Sequence, residues 1–123
     1  MKSQFQDPLT ETIIRCVVEV HRALGPGFLE SIYRNSLLIE LRREGLAVET
    51  EKEVAVRYRG EEVGCHRLDF LVEGRVVVEL KTGEDLSTAH YAQVRSYIKA
   101  TGLRVGLLVN FSKARSDFRR VEL

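Results

Sequence analysis

The sequence predicts a mixed α/β (α+β) domain in which a sheet of four to five strands is flanked by helices, in the order ααβββαβ. Three observations predict this class. Three segments carry apolar residues at helical spacing. Four others alternate every second residue or form short β-branched runs. The third helix separates the third strand from the fourth, so these two strands are expected to be parallel and joined by a right-handed crossover.

The three helices are predicted at residues 9–24, 29–44 and 87–101. Asp7 or Thr10 is expected to cap the first helix, and Gly25-Pro26-Gly27 to end it. Ser87 is a suitable N-cap for the third helix, and Gly102 a suitable terminator. The second helix is expected to direct an apolar stripe toward the core, consisting of Leu29, Ile32, Tyr33, Leu37 and Leu41.

The strands are predicted at residues 48–58, 63–72, 75–81 and 104–110, and residues 118–123 are a possible short edge strand. Residues 76–80 are mostly β-branched and continuous, as expected for a strand buried on both faces. Acidic residues alternate along the start of the first strand, which indicates the exposed face of an edge strand: Glu49, Glu51 and Glu53.

Composition predicts one domain spanning residues 1–123, since 44% hydrophobic and 30% charged residues are typical of globular proteins. No apolar run is long enough for a membrane span, and no secretory signal is visible.

Cys16 and Cys65 are expected to be buried thiols in a reducing compartment, which favours the cytoplasm. The net charge of +1 excludes a strongly basic protein, so nucleic acid would have to contact local clusters: Arg42-Arg43, Arg57 with Arg59, and Lys113, Arg115, Arg119 and Arg120.

The segment 67–81 carries the chemistry that dominates the functional prediction. If residues 73–75 form a three-residue hairpin loop, Asp69 falls opposite Glu79, and their Cβ atoms lie about 4.5–5.5 Å apart on one face. Lys81, two residues further on, points the same way. Carboxylates this close repel unless a cation lies between them, and a Mg²⁺-like ion would suit their oxygen atoms. Lys81 would then orient or deprotonate the attacking water, or neutralise phosphate charge.

Two alternatives remain open at this point. A two-residue loop would place Asp69 opposite Val78 and separate the acids by face. With the longer loop, the hairpin could instead be an ordinary one with ion pairs, in which Asp69 contacts Arg67 or Lys81 and Glu79 contacts Lys81.

Two helices offer further candidates. Glu30 is placed to pair with Arg34 one turn later, or to turn inward as a further ligand. On the third helix, His90, Gln93 and Tyr97 share a face with Val94. In one interpretation Tyr97 and Val94 pack on the sheet while His90 and Gln93 border them. In the other, Gln93 and Tyr97 offer hydrogen bonds to the site, and His90 contacts phosphate or pairs with an acid.

Taken together, these features resemble the PD-(D/E)XK nuclease superfamily, and within it the group named for a GxxExxY motif. That motif stands here as Gly27-Phe28-Leu29-Glu30-Ser31-Ile32-Tyr33. The core motif stands as Asp69 followed by Glu79-Leu80-Lys81, with Leu68 where Pro is frequent. Residues 90–97 look like the QxxxY element of the RecB-like branch, and residues 106–111 resemble the strand that closes the group's pattern.

The resemblance implies a restriction-endonuclease-like core that holds Mg²⁺ or Mn²⁺ through Asp69, Glu79, Glu30 and the Leu80 carbonyl. Lys81 would be the catalytic base or charge stabiliser. Tyr33, His90, Gln93 and Tyr97 would support the site or contact nucleic acid. The implied function is metal-dependent phosphodiester hydrolysis, with DNA favoured over RNA and specificity supplied by a homodimer or a larger protein partner. The alternative is a noncatalytic nucleic-acid-binding or assembly module on the same fold.

Overall fold

The computed structural model describes residues 7–83, 85–112 and 117–122, which form three helices and five strands. The helices are α1 (Pro8–Leu24), α2 (Glu30–Arg43) and α3 (Thr88–Thr101). The strands are β1 (Val48–Tyr58), β2 (Glu61–Val72), β3 (Val76–Lys81), β4 (Val105–Asn110) and β5 (Asp117–Glu122). The predicted elements are therefore present in the predicted order, and their ends differ by one or two residues.

The five strands form one mixed sheet in the order β1-β2-β3-β4-β5. Strands β3 and β4 are parallel, and every other neighbouring pair is antiparallel. This confirms the predicted parallel pair around the third helix and the edge strand near the end of the chain. β1 is the opposite edge, and Glu49, Glu51 and Glu53 are exposed on it, as predicted.

Helices cover both faces of the sheet. α1 and α2 pack on one face, where Ile13, Val17, Tyr33 and Leu37 meet Phe70 and other strand residues in the largest cluster of buried side chains. α3 packs on the other face through Val94, Tyr97 and Ile98. β3 lies between these layers, and the side chains from Val76 to Leu80 are all buried.

The start of α2 differs from the prediction. Leu29 is the N-cap residue and is 74% exposed, and Ile32 is 39% exposed. Only Tyr33, Leu37 and Leu41 are buried on this helix. The predicted apolar stripe is therefore wrong at Leu29 and Ile32, because these two side chains lie outside the core cluster that buries Tyr33, Leu37 and Leu41.

The other helix ends follow their local chemistry. The Asp7 carboxylate accepts a hydrogen bond from the Leu9 N–H and caps α1, so Asp7 rather than Thr10 is the cap. Ser87 caps α3, as predicted. Gly25 ends α1 with a φ of 67°, a conformation that favours glycine.

The two cysteines differ in environment. Cys16 is buried as predicted, and burial raises the pKa of its thiol to about 11. Cys65 is exposed, so the prediction of two buried thiols is wrong for this residue. It lies on the outer half of β2, where the strand pairs with β1 and the surrounding residues are also exposed.

None of the helices in the described ranges combines the length and apolar character needed to cross a bilayer.

Gly106 provides a test of the packing between α3 and the sheet. A Cβ added here would lie 2.7 Å from Val94 Cγ1 and 3.2 Å from Ile98 Cδ1. We expect Gly106→Ala to lower the free energy of unfolding by about 1–3 kcal/mol, because α3 must shift outward. Urea denaturation measures this change. Gly64→Ala in β2 is the matched control, since a Cβ there meets nothing within 4 Å; equal losses in the two variants would contradict the packing argument.

Candidate active site

The β2–β3 hairpin has the register on which the functional prediction depends. Val72 pairs with Val76, and the ladder continues to Phe70 opposite Val78. The loop between them is the predicted three-residue one, and two of its residues, Glu73 and Gly74, have φ values of 53° and 63°. Continuing this register by one pair brings Asp69 beside Glu79. The two-residue loop that would separate the acids by face is therefore excluded.

At Asp69, hydrogen bonds to side chains replace the backbone pairing between β2 and β3. The Leu80 N–H donates a hydrogen bond to Asp69 Oδ2 over 2.8 Å, and the Asp69 N–H donates to Glu79 Oε1 over 3.4 Å. Leu68 and Leu71 both pack in the cluster that contains Tyr97, although regular alternation would place them on opposite faces. The strand is therefore locally irregular between them, where Asp69 turns its carboxylate toward β3.

Asp69 and Glu79 form an acidic pair whose two carboxylates are largely shielded from solvent. The Asp69 side chain is 17% exposed and the Glu79 side chain 7%. Burial, followed by the charge of Asp69, raises the pKa of Glu79 to about 8, and the charge of Lys81 opposes this shift. The acidic pair therefore resists carrying two negative charges unless further positive charge is supplied.

Lys81 is oriented toward the acidic pair. Its Nζ lies 3.6 Å from Glu79 Oε2, and its side chain is 23% exposed. The Lys81 backbone is fixed by pairing with Asn110 in β4 and by a hydrogen bond of 3.1 Å that its carbonyl accepts from the Phe111 N–H. The ammonium group thus stands at the boundary between the buried carboxylates and solvent.

Glu30 is joined to the acidic pair through Arg34. Arg34 Nη2 lies 2.8 Å from Glu30 Oε2, which is the predicted i,i+4 pair, and its Nε lies 3.7 Å from Asp69 Oδ1. No sequence pattern indicates the contact between Arg34 and Asp69, because 35 positions separate the two residues. Arg67, a predicted partner of Asp69, pairs instead with Glu51 at 3.2 Å. Arg34 thus places positive charge between Glu30 and Asp69.

Tyr33 anchors the segment that presents Glu30. Its side chain is fully buried and stacks on Phe111 with ring centroids 4.5 Å apart. The Tyr33 hydroxyl donates to the Gly25 carbonyl over 2.5 Å and accepts from the Phe28 N–H over 3.2 Å. The loop between α1 and α2 is therefore tied to the first turn of α2.

We expect Tyr33→Phe to lower the free energy of unfolding by about 1–2 kcal/mol, because it leaves the Gly25 carbonyl and the Phe28 N–H without their shared partner. Thermal or urea denaturation measures the loss. Tyr58→Phe is the control, since Tyr58 is 62% exposed at the end of β1. A loss no larger than that of the control would show that the buried hydroxyl contributes little.

Helix α3 places Tyr97 close to the acidic pair. Gln93 Nε2 donates to the Tyr97 hydroxyl over 2.7 Å, and Tyr97 is 6% exposed. Burial, followed by the charge of Glu79, raises the pKa of Tyr97. Gln93 and Tyr97 are thus brought to the site. His90 instead forms part of the N-terminal capping box, where its Nδ1 accepts from the Ser87 N–H over 3.1 Å.

His66 and Ser96 lie beside Tyr97, although no sequence motif indicated either of them. His66 on β2 lies against Tyr97, with ring centroids 4.8 Å apart. Its Nε2 lies 2.7 Å from Ser96 Oγ. The only signal of this contact in the sequence is the adjacency of Ser96 and Tyr97, because His66 is 30 residues away from Ser96.

The predicted basic clusters do not converge on one surface. Arg42 and Arg43 are exposed at the C-terminal end of α2, whereas Arg57 and Arg59 lie at the outer end of β1. Arg119 and Arg120 on β5 form ion pairs with Asp117 and Glu122. Lys113 and Arg115 lie outside the described residues.

Comparison with known proteins decides the family. The family model described as the PD-(D/E)XK nuclease superfamily matches residues 7–121. The chain belongs to the PD-(D/E)XK nuclease superfamily. Its mixed sheet with flanking helices is the restriction-endonuclease-like fold that the sequence predicted.

A solved structure shares this PD-(D/E)XK fold. The structure titled "Crystal structure of SSO0001" superposes with a TM-score of 0.60 at 17% sequence identity, over 96% of this chain and 79% of that chain. At this identity the likeness concerns the fold alone. A search of the curated proteins found no significant match.

Nucleases of the PD-(D/E)XK superfamily generally use divalent metal ions. The acidic pair suits such an ion, because a close pair of carboxylates that resists double ionisation is stabilised by a doubly charged cation. Among the described residues, no three His, Cys, Asp or Glu side chains form a ready-made metal site. An ion held by the acidic pair would therefore complete its shell with further oxygen atoms, from protein groups that move toward it or from water, as Mg²⁺ commonly does.

Proposed function

We propose that this chain is a Mg²⁺- or Mn²⁺-dependent nuclease that hydrolyses phosphodiester bonds in DNA. The observation that carries the proposal is the buried acidic pair with Lys81 at its solvent boundary, in a chain that belongs to a nuclease superfamily. Such a set suits phosphoryl chemistry, because the carboxylates hold a cation and the ammonium faces the phosphate.

The proposed roles follow from the contacts. Asp69 and Glu79 would hold the metal with the Leu80 carbonyl, and Glu30 would contribute from α2 once Arg34 releases it. The ion, when bound, would supply a more acidic water and neutralise charge on the phosphate. Lys81 would position the attacking water or stabilise charge that develops on the phosphate. Gln93 and Tyr97 would orient Glu79 and the substrate backbone.

We also propose a finer classification and setting for the protein. The GxxExxY segment at residues 27–33 supports membership of the group named for that motif. We propose that residues 1–123 form a single nuclease-like domain that acts in the cytoplasm, and that sequence specificity comes from a homodimer or a larger partner. His90 would contact the substrate through Nε2, since Nδ1 is used by the helix cap.

The decisive test is direct. Purified protein is incubated with plasmid, single-stranded DNA and RNA, with Mg²⁺, with Mn²⁺ or with a chelator. We expect metal-dependent cleavage of DNA that exceeds cleavage of RNA. Activity that survives both Asp69→Asn and Lys81→Ala would belong to a contaminant or to another site.

A noncatalytic nucleic-acid-binding or assembly module is the second candidate. One observation favours it: Arg34 already supplies positive charge to Glu30 and Asp69, so these acids have a structural counter-ion. In that case DNA would be retarded without being cleaved, and divalent ions would not raise the melting temperature. A rise in melting temperature with Mn²⁺ that Asp69→Asn abolishes would count against this candidate.

A further inference from the structure

A groove runs between the edge strand β1 and helix α3. It encloses about 620 Å³. Both walls contribute polar and apolar atoms, and the lining residues are Ala55, Val56, Arg57, Ser96, Lys99 and Ala100. The groove thus lies on the face of the sheet that α3 covers, away from α1 and α2.

The charges of the groove are positive and lack acidic partners. Arg57 and Lys99 are both exposed, one on each wall. Within residues 7–83, 85–112 and 117–122, neither of them forms an ion pair. Glu62 is the register partner of Arg57 on β2, yet no ion pair joins them in that part of the chain. Two free cations facing one groove favour an anionic occupant.

A series of side-chain contacts links the groove to the candidate active site. Ser96 lines the groove, and its Oγ lies 2.7 Å from His66 Nε2. His66 in turn lies against Tyr97, whose pKa is raised by burial and then by the charge of Glu79. Along α3, Gln93 precedes Lys99 by six residues, a rise of about 9 Å. A chain molecule bound at the acidic pair can therefore extend along this helix into the groove.

We propose that the groove between β1 and α3 binds the phosphodiester backbone of a DNA strand that extends from the active site, with Arg57 and Lys99 each contacting a phosphate. This rests on the proposed function, because it identifies where the substrate of that same site lies. Ser96 supplies a hydroxyl for a further phosphate oxygen, and the apolar wall of Ala55 and Ala100 leaves room for the sugar.

The test measures binding rather than cleavage. A fluorescein-labelled DNA strand of about 20 nucleotides, and its duplex, are titrated with protein in the presence of a chelator while anisotropy is recorded at several salt concentrations. We expect Arg57→Gln/Lys99→Gln to weaken binding about tenfold at low salt. The slope of log K against log salt should fall by about 1.4 for the single strand and about 1.8 for the duplex, since two phosphate contacts are lost.

Arg42→Gln/Arg43→Gln is the matched control, because it removes two exposed cations from α2 on the other face of the sheet. We expect it to leave the slope unchanged, and the melting temperatures of both variants are compared to verify folding. If the wild-type protein binds DNA and the groove variant has the same slope, the groove is not the DNA path, and the proposed function is unaffected. If the wild-type protein neither binds nor cleaves DNA, both proposals are wrong.

Discussion

Replacing Asp69 by Asn is expected to reduce metal-dependent DNA cleavage by at least about 10³-fold, which corresponds to roughly 4 kcal/mol of transition-state stabilisation. Asn retains an oxygen that can accept the hydrogen bond from the Leu80 N–H, but it removes the charge that would hold the cation. Single-turnover cleavage of a labelled DNA strand measures the effect, and isothermal titration with Mn²⁺ measures the loss of metal binding.

Lys81→Ala is expected to lower the same rate by about 10²–10³-fold while Mn²⁺ still binds, because in the proposed mechanism Lys81 would act on the phosphate or water rather than on the ion. The double variant should be little worse than Asp69→Asn alone, since residues that act as a unit are not additive. Glu62→Gln, an exposed acid on the same strand as Asp69, is the control. Additive losses would show that Lys81 and Asp69 act at separate steps.

Replacing Glu79 by Gln is expected to stabilise the metal-free protein above neutral pH. The folded pKa of about 8 exceeds the ordinary value of 4.5, so the folded state retains a proton that the unfolded chain has released. The stability that depends on this proton is complete below about pH 4.5 and is lost as the pH rises through about 8. Each pH unit in this window costs up to about 1.4 kcal/mol. Gln resembles the protonated acid and does not ionise.

Urea denaturation from pH 5 to 9 with a chelator tests this linkage. The wild-type free energy of unfolding should fall with pH relative to that of Glu79→Gln, and the difference should level off above about pH 8 at several kcal/mol. Glu61→Gln, an exposed acid at the start of β2, should follow the wild type. Parallel curves for wild type and Glu79→Gln would mean that Glu79 is ionised in the folded protein throughout this range.

Local sequence was sufficient for much of the site. A three-residue loop at residues 73–75 was one of two predicted turns, and the structure, which has this loop, places Asp69 beside Glu79 with Lys81 on the same side. Alternation and capping residues similarly located the helices and strands to within one or two residues. These features depend on neighbours close in the chain, so their physical causes are visible in the sequence.

Other features depend on packing between distant segments. Arg34 reaches Asp69 because α2 crosses the sheet near the end of β2, and His66 meets Ser96 and Tyr97 because α3 lies over the other face. The exposure of Leu29 and Cys65 also depends on packing between distant segments. Neither the apolar character of a residue nor its place in a strand shows whether another element will cover it.

The sequence by itself determined the order of the elements and the candidate residues of the acidic pair, because periodicity and motif spacing act over a few residues. It left two hairpin registers open, and the structure decided between them. Only the tertiary structure decided which cations neutralise these acids, how far they are desolvated, and where a groove leads away from them. Desolvation and long-range pairing arise when layers pack against each other, and a linear pattern does not encode the depth at which a side chain comes to lie.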